Sequence, residues 1–76
     1  MINPLLTKAL DELQYLLSGE EFLVKDLFKG YEWSRIPRND RLRLGTLFLD
    51  AVTSNPNLGV IALGKTSANQ QKYSKM

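Results

Sequence analysis

Pro37 stands near the middle of this 76-residue chain, inside the stretch "RIPRNDRLRLG" at positions 35–45. It has no backbone N–H to donate, and its ring pushes Ile36 out of helical geometry. No helix can run through it, so each half of the chain must supply its own elements to a shared core. A chain this short buries only about 60–65% of its unfolded surface. The expectation is therefore one small domain over residues 1–76.

In the first half, Asn3 is placed to cap a helix with Pro4 at its first position, where the missing N–H costs nothing. Leu6, Ala9, Leu10, Leu13, Leu16 and Leu17 then recur at three- and four-residue spacing, the apolar stripe of an amphipathic helix. Ser18-Gly19 ends it. Residues 21–24 read as a short strand, residues 24–29 as a short helix closed by Gly30, and "YEWSRIPRND" as a connecting turn.

In the second half, Asn39 or Asp40 caps a long helix that runs to about Thr53. Leu44, Leu47, Phe48, Ala51 and Val52 share its apolar face, while Arg43, Thr46, Asp50 and Thr53 share the opposite one. Gly45, in mid-helix, costs roughly 1 kcal/mol against alanine, and a close approach by another helix would account for it. After the loop "SNPNLG", "VIALGK" reads as a buried strand, "TSAN" as a turn and "QQKYSKM" as a polar strand returning antiparallel. The fold class is α+β. Its element order, helix, short strand or turn, short helix, long helix and C-terminal β-hairpin, is that of a small winged helix-turn-helix-like domain.

All four arginines, Arg35, Arg38, Arg41 and Arg43, fall within nine positions. Residues 1–34 hold three lysines against six carboxylates, a net −3, and residues 35–76 hold seven cations against two carboxylates, a net +5. Cations at a helix start oppose the macrodipole. Two readings of the cluster stand open: ion pairs with Glu20, Glu21 or Glu32, or a phosphate-binding surface of guanidinium forks and free helix N–H groups. Tyr31 and Trp33 flank the cluster and, in an extended segment, would lie on one side, where bases stack on rings while cations follow the backbone. Trp33, the lone tryptophan of a small domain, fits the core better than a contact surface. Lys65, Lys72 and Tyr73 form a third patch on the hairpin, with amides and hydroxyls beside them; a solvated hairpin edge guarded by lysines has the same composition.

The chain has no cysteine and no histidine. Disulfides, thiolate metal sites, cysteine nucleophiles and the commonest metal ligand are all excluded. No catalytic grouping, cofactor motif or metal site stands out, and the expectation is a non-enzymatic protein. The letters from Gly59 to Thr66 match GxxxxGK[ST], but apolar strand residues occupy the place of the flexible loop, so the match is accidental. "MINPLLTKAL" has no basic region before a long apolar run, and no segment reaches the length of a membrane span. A cytoplasmic location without membrane association is expected.

"DLF" at 26–28, Trp33, "RIPR" at 35–38, "RLRLGTLF" at 41–48 and "NQQKY" at 69–73 together resemble a small bacterial family of unknown-function domains, found in Gram-positive genomes, phages and mobile genetic elements. Members encoded beside replication genes are associated with single-stranded DNA. The resemblance implies a single-stranded-DNA-binding protein that serves replication of a mobile element or phage, with replication proteins as further partners. Two other readings remain: a regulator placing helix 40–53 in duplex DNA, and an adaptor whose arginines meet an acidic protein.

Overall fold

The computed structural model describes residues 3–76; Met1 and Ile2, the start of the domain expected over 1–76, lie outside the described residues. Helix α1 spans Pro4–Glu12. The Asn3 side-chain oxygen accepts from the Leu5 and Leu6 N–H groups at 2.9 and 3.3 Å, as the Asn-Pro start predicts. The helix is shorter than its apolar stripe: it tightens into a 3₁₀ turn over Leu13–Tyr15, and Leu16 is already extended. Leu17, expected on the buried stripe, is therefore 71% exposed. Gly19 follows at φ +88°, and its N–H donates to the Lys75 carbonyl at 2.7 Å, which ties the end of this segment to the last strand.

Strand β1 (Glu21–Leu23) leads into a 3₁₀ turn over Val24–Leu27, which replaces the helix expected over 24–29. The Asp26 carboxylate holds that turn by accepting from the Leu23 N–H at 2.9 Å. The expected connecting turn over 31–40 is also overturned, because Gly30–Arg35 forms helix α2. Pro37 constrains only its immediate predecessor: Ile36 is extended at φ −78°, ψ 125°, and residues before it are free to coil. The Glu32 carboxylate starts α2 by accepting from the Lys29 N–H at 3.0 Å, and its other oxygen pairs with Lys8 of α1.

Helix α3 runs Arg38–Ser54, beginning directly after Pro37 rather than at a cap by Asn39 or Asp40. Ile36 and Pro37 alone join α2 to α3. Leu44, Phe48 and Val52 are buried along its inner face.

Strands β2 (Val60–Lys65) and β3 (Gln71–Lys75) close the chain. The three strands form one antiparallel sheet in the order β1-β3-β2, with Phe22 and Ala62 both opposite Tyr73. β3 is thus central, and β2, expected to be buried, is an edge strand with Val60 alone fully buried and Ile61 45% exposed. Pairing shifts between Ala62 and Lys65, and the Gln71 side-chain amide donates to the Leu63 carbonyl at that irregularity. Asn69 takes the left-handed conformation (φ 64°) in the turn, whose ends are joined by Thr66 N–H to the Gln70 carbonyl at 2.8 Å. The result is a small α+β fold of three helices and a three-stranded antiparallel sheet.

The core is centred on Tyr73, Phe48 and Leu44, its largest fully buried side chains. The Tyr73 ring stacks on Phe22 at 5.7 Å and meets Phe48 edge-on at 4.9 Å, so one residue of β3 bonds β1 to α3 through aromatic contacts.

Glu32 both starts α2 and ties it to α1. Its hydrogen bond to Lys8 holds its carboxyl below the ordinary 4.5. A carboxyl lowered on folding adds stability above its unfolded pKa and loses it as pH falls through the folded value. Glu32→Ala is expected to lower the urea midpoint at neutral pH with an unchanged m-value, and to shrink the loss of stability below about pH 4.5. Urea titrations at pH 7 and pH 3 measure both effects.

Candidate functional site

A groove of about 300 Å³ opens between α3 and the hairpin. Arg41, Leu42, Gly45, Thr46 and Leu49 line it from α3, on successive turns of one helix face. Trp33 closes it from α2, Leu23, Val24 and Lys25 from the end of β1, and Lys65, Asn69, Gln70 and Gln71 from the hairpin, with Tyr73 among the lining residues. Most of its surface is apolar, with Arg41 and the hairpin amides among its polar groups and lysines contributed from two sides.

Gly45 faces this space. A Cβ built there meets nothing within 4 Å, so the close helix–helix approach expected at this glycine does not occur. A bare backbone in mid-helix, with no packing demand behind it, leaves the groove open at that point.

Two buried polar atoms belonging to groove residues, Arg41 Nε and Tyr73 Oη, have no hydrogen-bond partner among the described residues. Leaving such a group unsatisfied costs about 1–3 kcal/mol. Burial also pushes the Tyr73 phenol from 10.0 up to about 12, because the phenolate is penalised where water is excluded.

The arginines do not form one patch. Steps of about 100° per residue place Arg38 and Arg41 about 60° apart around α3 but Arg43 about 160° from Arg41. Arg41 lies at the groove with its guanidinium carbon 5.9 Å from the Trp33 ring centre. Arg35 is on α2, 5.0 Å from the Tyr31 ring, and Lys29 lies 5.9 Å from the same ring. No arginine makes a salt bridge among the described residues. The ion pairs considered with Glu21 and Glu32 are absent because those carboxylates are engaged elsewhere, Glu21 with Lys72 at 2.6 Å and Glu32 with Lys8.

A family model for DUF1413, a domain of unknown function, matches residues 7–75. The chain belongs to that family. The matched span includes every residue of the groove. No curated protein and no solved structure matches the chain.

The expected site residues thus separate into three groups, with Arg43 apart from all of them on the exposed face of α3. Arg41, Trp33 and Lys65 come together at the groove, with Arg38 one turn before Arg41 on α3. Tyr31 and Arg35 lie four residues apart on α2 and share an exposed face. Because α2 is helical, Tyr31 and Trp33 point about 160° apart rather than to one side. Trp33 packs partly against the core, and Tyr31 is 54% exposed. Lys72 is neutralised by Glu21, and Tyr73 is fully buried rather than a surface contact. Its burial follows from β3 being the central strand: alternation sends Lys72 to one face and Tyr73 to the other, onto the helices. The hairpin amides Asn69, Gln70 and Gln71, expected beside the lysines of the third patch, line the groove, and they are joined by Gly45, Lys25 and Leu42, for which the mid-helix glycine is the one signal in the sequence. Among the described residues, no helix is long and apolar enough to cross a membrane, and no group of His, Cys, Asp or Glu side chains is arranged to hold a metal.

Tyr73→Phe keeps the ring and removes the unsatisfied hydroxyl, so its thermal stability at pH 7 is expected to equal or exceed that of the parent. A phenol raised on folding adds stability below its unfolded pKa and loses it as pH rises toward the folded value. The parent should therefore lose stability between pH 10.0 and about 12, and Tyr73→Phe should flatten that limb. Urea unfolding at pH 7, 10 and 11.5 reads both.

Proposed function

We propose that this domain is a non-enzymatic single-stranded-DNA-binding module with a winged-helix-like arrangement, in which the β2–β3 hairpin is the wing. The observation that carries this reading is the set of four arginines without a carboxylate partner, beside acids that are already paired with lysines. Guanidinium groups left free near aromatic rings fit an anionic strand: phosphates take the cations and bases take the rings. Tyr31, exposed and approached by Arg35 and Lys29, supplies one such ring. Arg38 and Arg41 share a helix face toward the groove, and Lys65 approaches from the hairpin. Replication of a mobile element or phage, in a cytoplasmic setting and beside replication proteins, is the process this activity would serve.

A second reading has its own support. The outer face of α3 carries exposed Asn39, Arg43, Thr46, Asp50 and Thr53, which is the polar surface a duplex-reading helix needs. Yet the Thr46 hydroxyl donates to the Leu42 carbonyl and that of Thr53 to the Leu49 carbonyl, while Asp50 repels phosphate. The exposed Leu42 also occupies this side. Single-stranded DNA is the better fit.

Fluorescence anisotropy with single- and double-stranded oligonucleotides of equal length separates the two. Tighter, salt-sensitive binding of single strands is expected, and duplex preference would move the assignment to a regulator. Binding of neither at low salt would leave the arginines for an acidic protein partner. Arg38→Ala with Arg41→Ala should reduce the slope of log affinity against log salt by about 1.4, at about 0.7 per phosphate contact; an unchanged slope refutes the phosphate role. Tyr31→Ala should cost about 1–3 kcal/mol of single-strand affinity in a fully folded domain.

A further inference from the structure

We infer that the groove over Gly45 is a pocket for one unstacked nucleobase whose 4- or 6-substituent is a carbonyl, thymine O4 or guanine O6, with that oxygen accepting from Arg41 Nε and Tyr73 Oη. The inference rests on the single-stranded-DNA reading and adds to it a base preference and the residues that set it.

Three independent observations meet at this place. The first is Gly45. Glycine disfavours a helix interior, no neighbour requires it, and a Cβ there would project into open space. What the missing side chain leaves free is a backbone surface against which a flat ring can lie. The second is the pair of unpartnered polar atoms, both buried and both on residues of this groove. Arginine Nε is a donor only, so a ligand that completes it must present an acceptor. Tyr73 is fully buried, yet it is a hydroxyl-bearing residue where phenylalanine would pack as well. The third is the lining. Trp33, Leu42 and Leu49 offer apolar surface to the faces of a ring, and Lys25 and Lys65 bring charge from two sides for the adjoining phosphates.

The donor character decides which base. At the edge carrying the 4- or 6-substituent, thymine presents the O4 acceptor and guanine the O6 acceptor, whereas cytosine and adenine present the N4 and N6 amino groups, and the N7 acceptor is common to both purines. An amino group aimed at this place could donate to the Tyr73 hydroxyl but would leave Arg41 Nε, a donor only, unsatisfied. Opening of the pocket to let a base reach these occluded atoms involves Leu42, which is 61% exposed, and the hairpin residues Asn69 and Gln70.

Anisotropy titrations with oligothymidine and oligocytidine of equal length test this, since both are pyrimidine strands and differ at the edge the donors would read. The parent is expected to bind oligothymidine at least about fivefold more tightly. Tyr73→Phe should bring that ratio toward unity with oligocytidine affinity unchanged. Gly45→Leu, which favours the helix but fills the groove, should weaken oligothymidine binding while the salt slope stays that of the parent. Thermal melting confirms that both variants fold, and neither change removes a core contact. Equal affinity of the parent for the two strands, or a ratio preserved in both variants, overturns the pocket and leaves single-strand binding standing. Failure of the parent to bind either strand overturns both.

Discussion

The Tyr73 ring joins three parts of the molecule that are far apart in sequence. It stacks on Phe22 near the start of the sheet and meets Phe48 in the middle of α3 edge-on. With that contact made, β3 must be the central strand, β2 must lie at the edge, and the hairpin must stand beside the long helix. The groove is what remains between them. The same residue that organises the core therefore also lines the groove between α3 and the hairpin, and it does so carrying a hydroxyl that the core has no use for. Folding stability alone would place phenylalanine there.

The charges are divided in a comparable way. Lysines take the carboxylates that the fold uses: Lys8 steadies α2 through Glu32, and Lys72 crosses from β3 to Glu21. The arginines are left over. Arg35 suits its position in the last turn of α2, where the macrodipole favours a cation, but Arg38 and Arg41 open α3, where it does not. Exposed pairs contribute little in any case. A bound anion is the condition under which the helix start and its cations stop opposing each other.

Much of the backbone was legible because its signals are local. Asn3-Pro4 starts α1 as its chemistry dictates, and Pro37 holds Ile36 extended. α2 was missed because Lys29 is no capping residue; the helix starts from the Glu32 carboxylate reaching back to the Lys29 N–H. The burial of Tyr73 was hidden by its polar neighbours in "NQQKYSKM", since the strand that covers it lies some fifty residues earlier, at Glu21–Leu23. The arginine cluster was legible as composition, but only the helix phase shows that Arg43 leaves the face shared by Arg38 and Arg41. Gly45 was visible as an anomaly, and its open surroundings emerge only once the hairpin is in place.

The joint between α2 and α3 is two residues long, and both are fixed, Ile36 by burial and Pro37 by its ring. The exposed Tyr31 ring and the α3 wall of the groove at Arg41 are consequently held in a fixed relation. Were the proposed single strand to bind here, the strand would do most of the rearranging, the protein's own movement would be confined to Leu42 and the hairpin at the groove mouth, and charge would accelerate the encounter. Differences in affinity among sequences would then appear as differences in residence time.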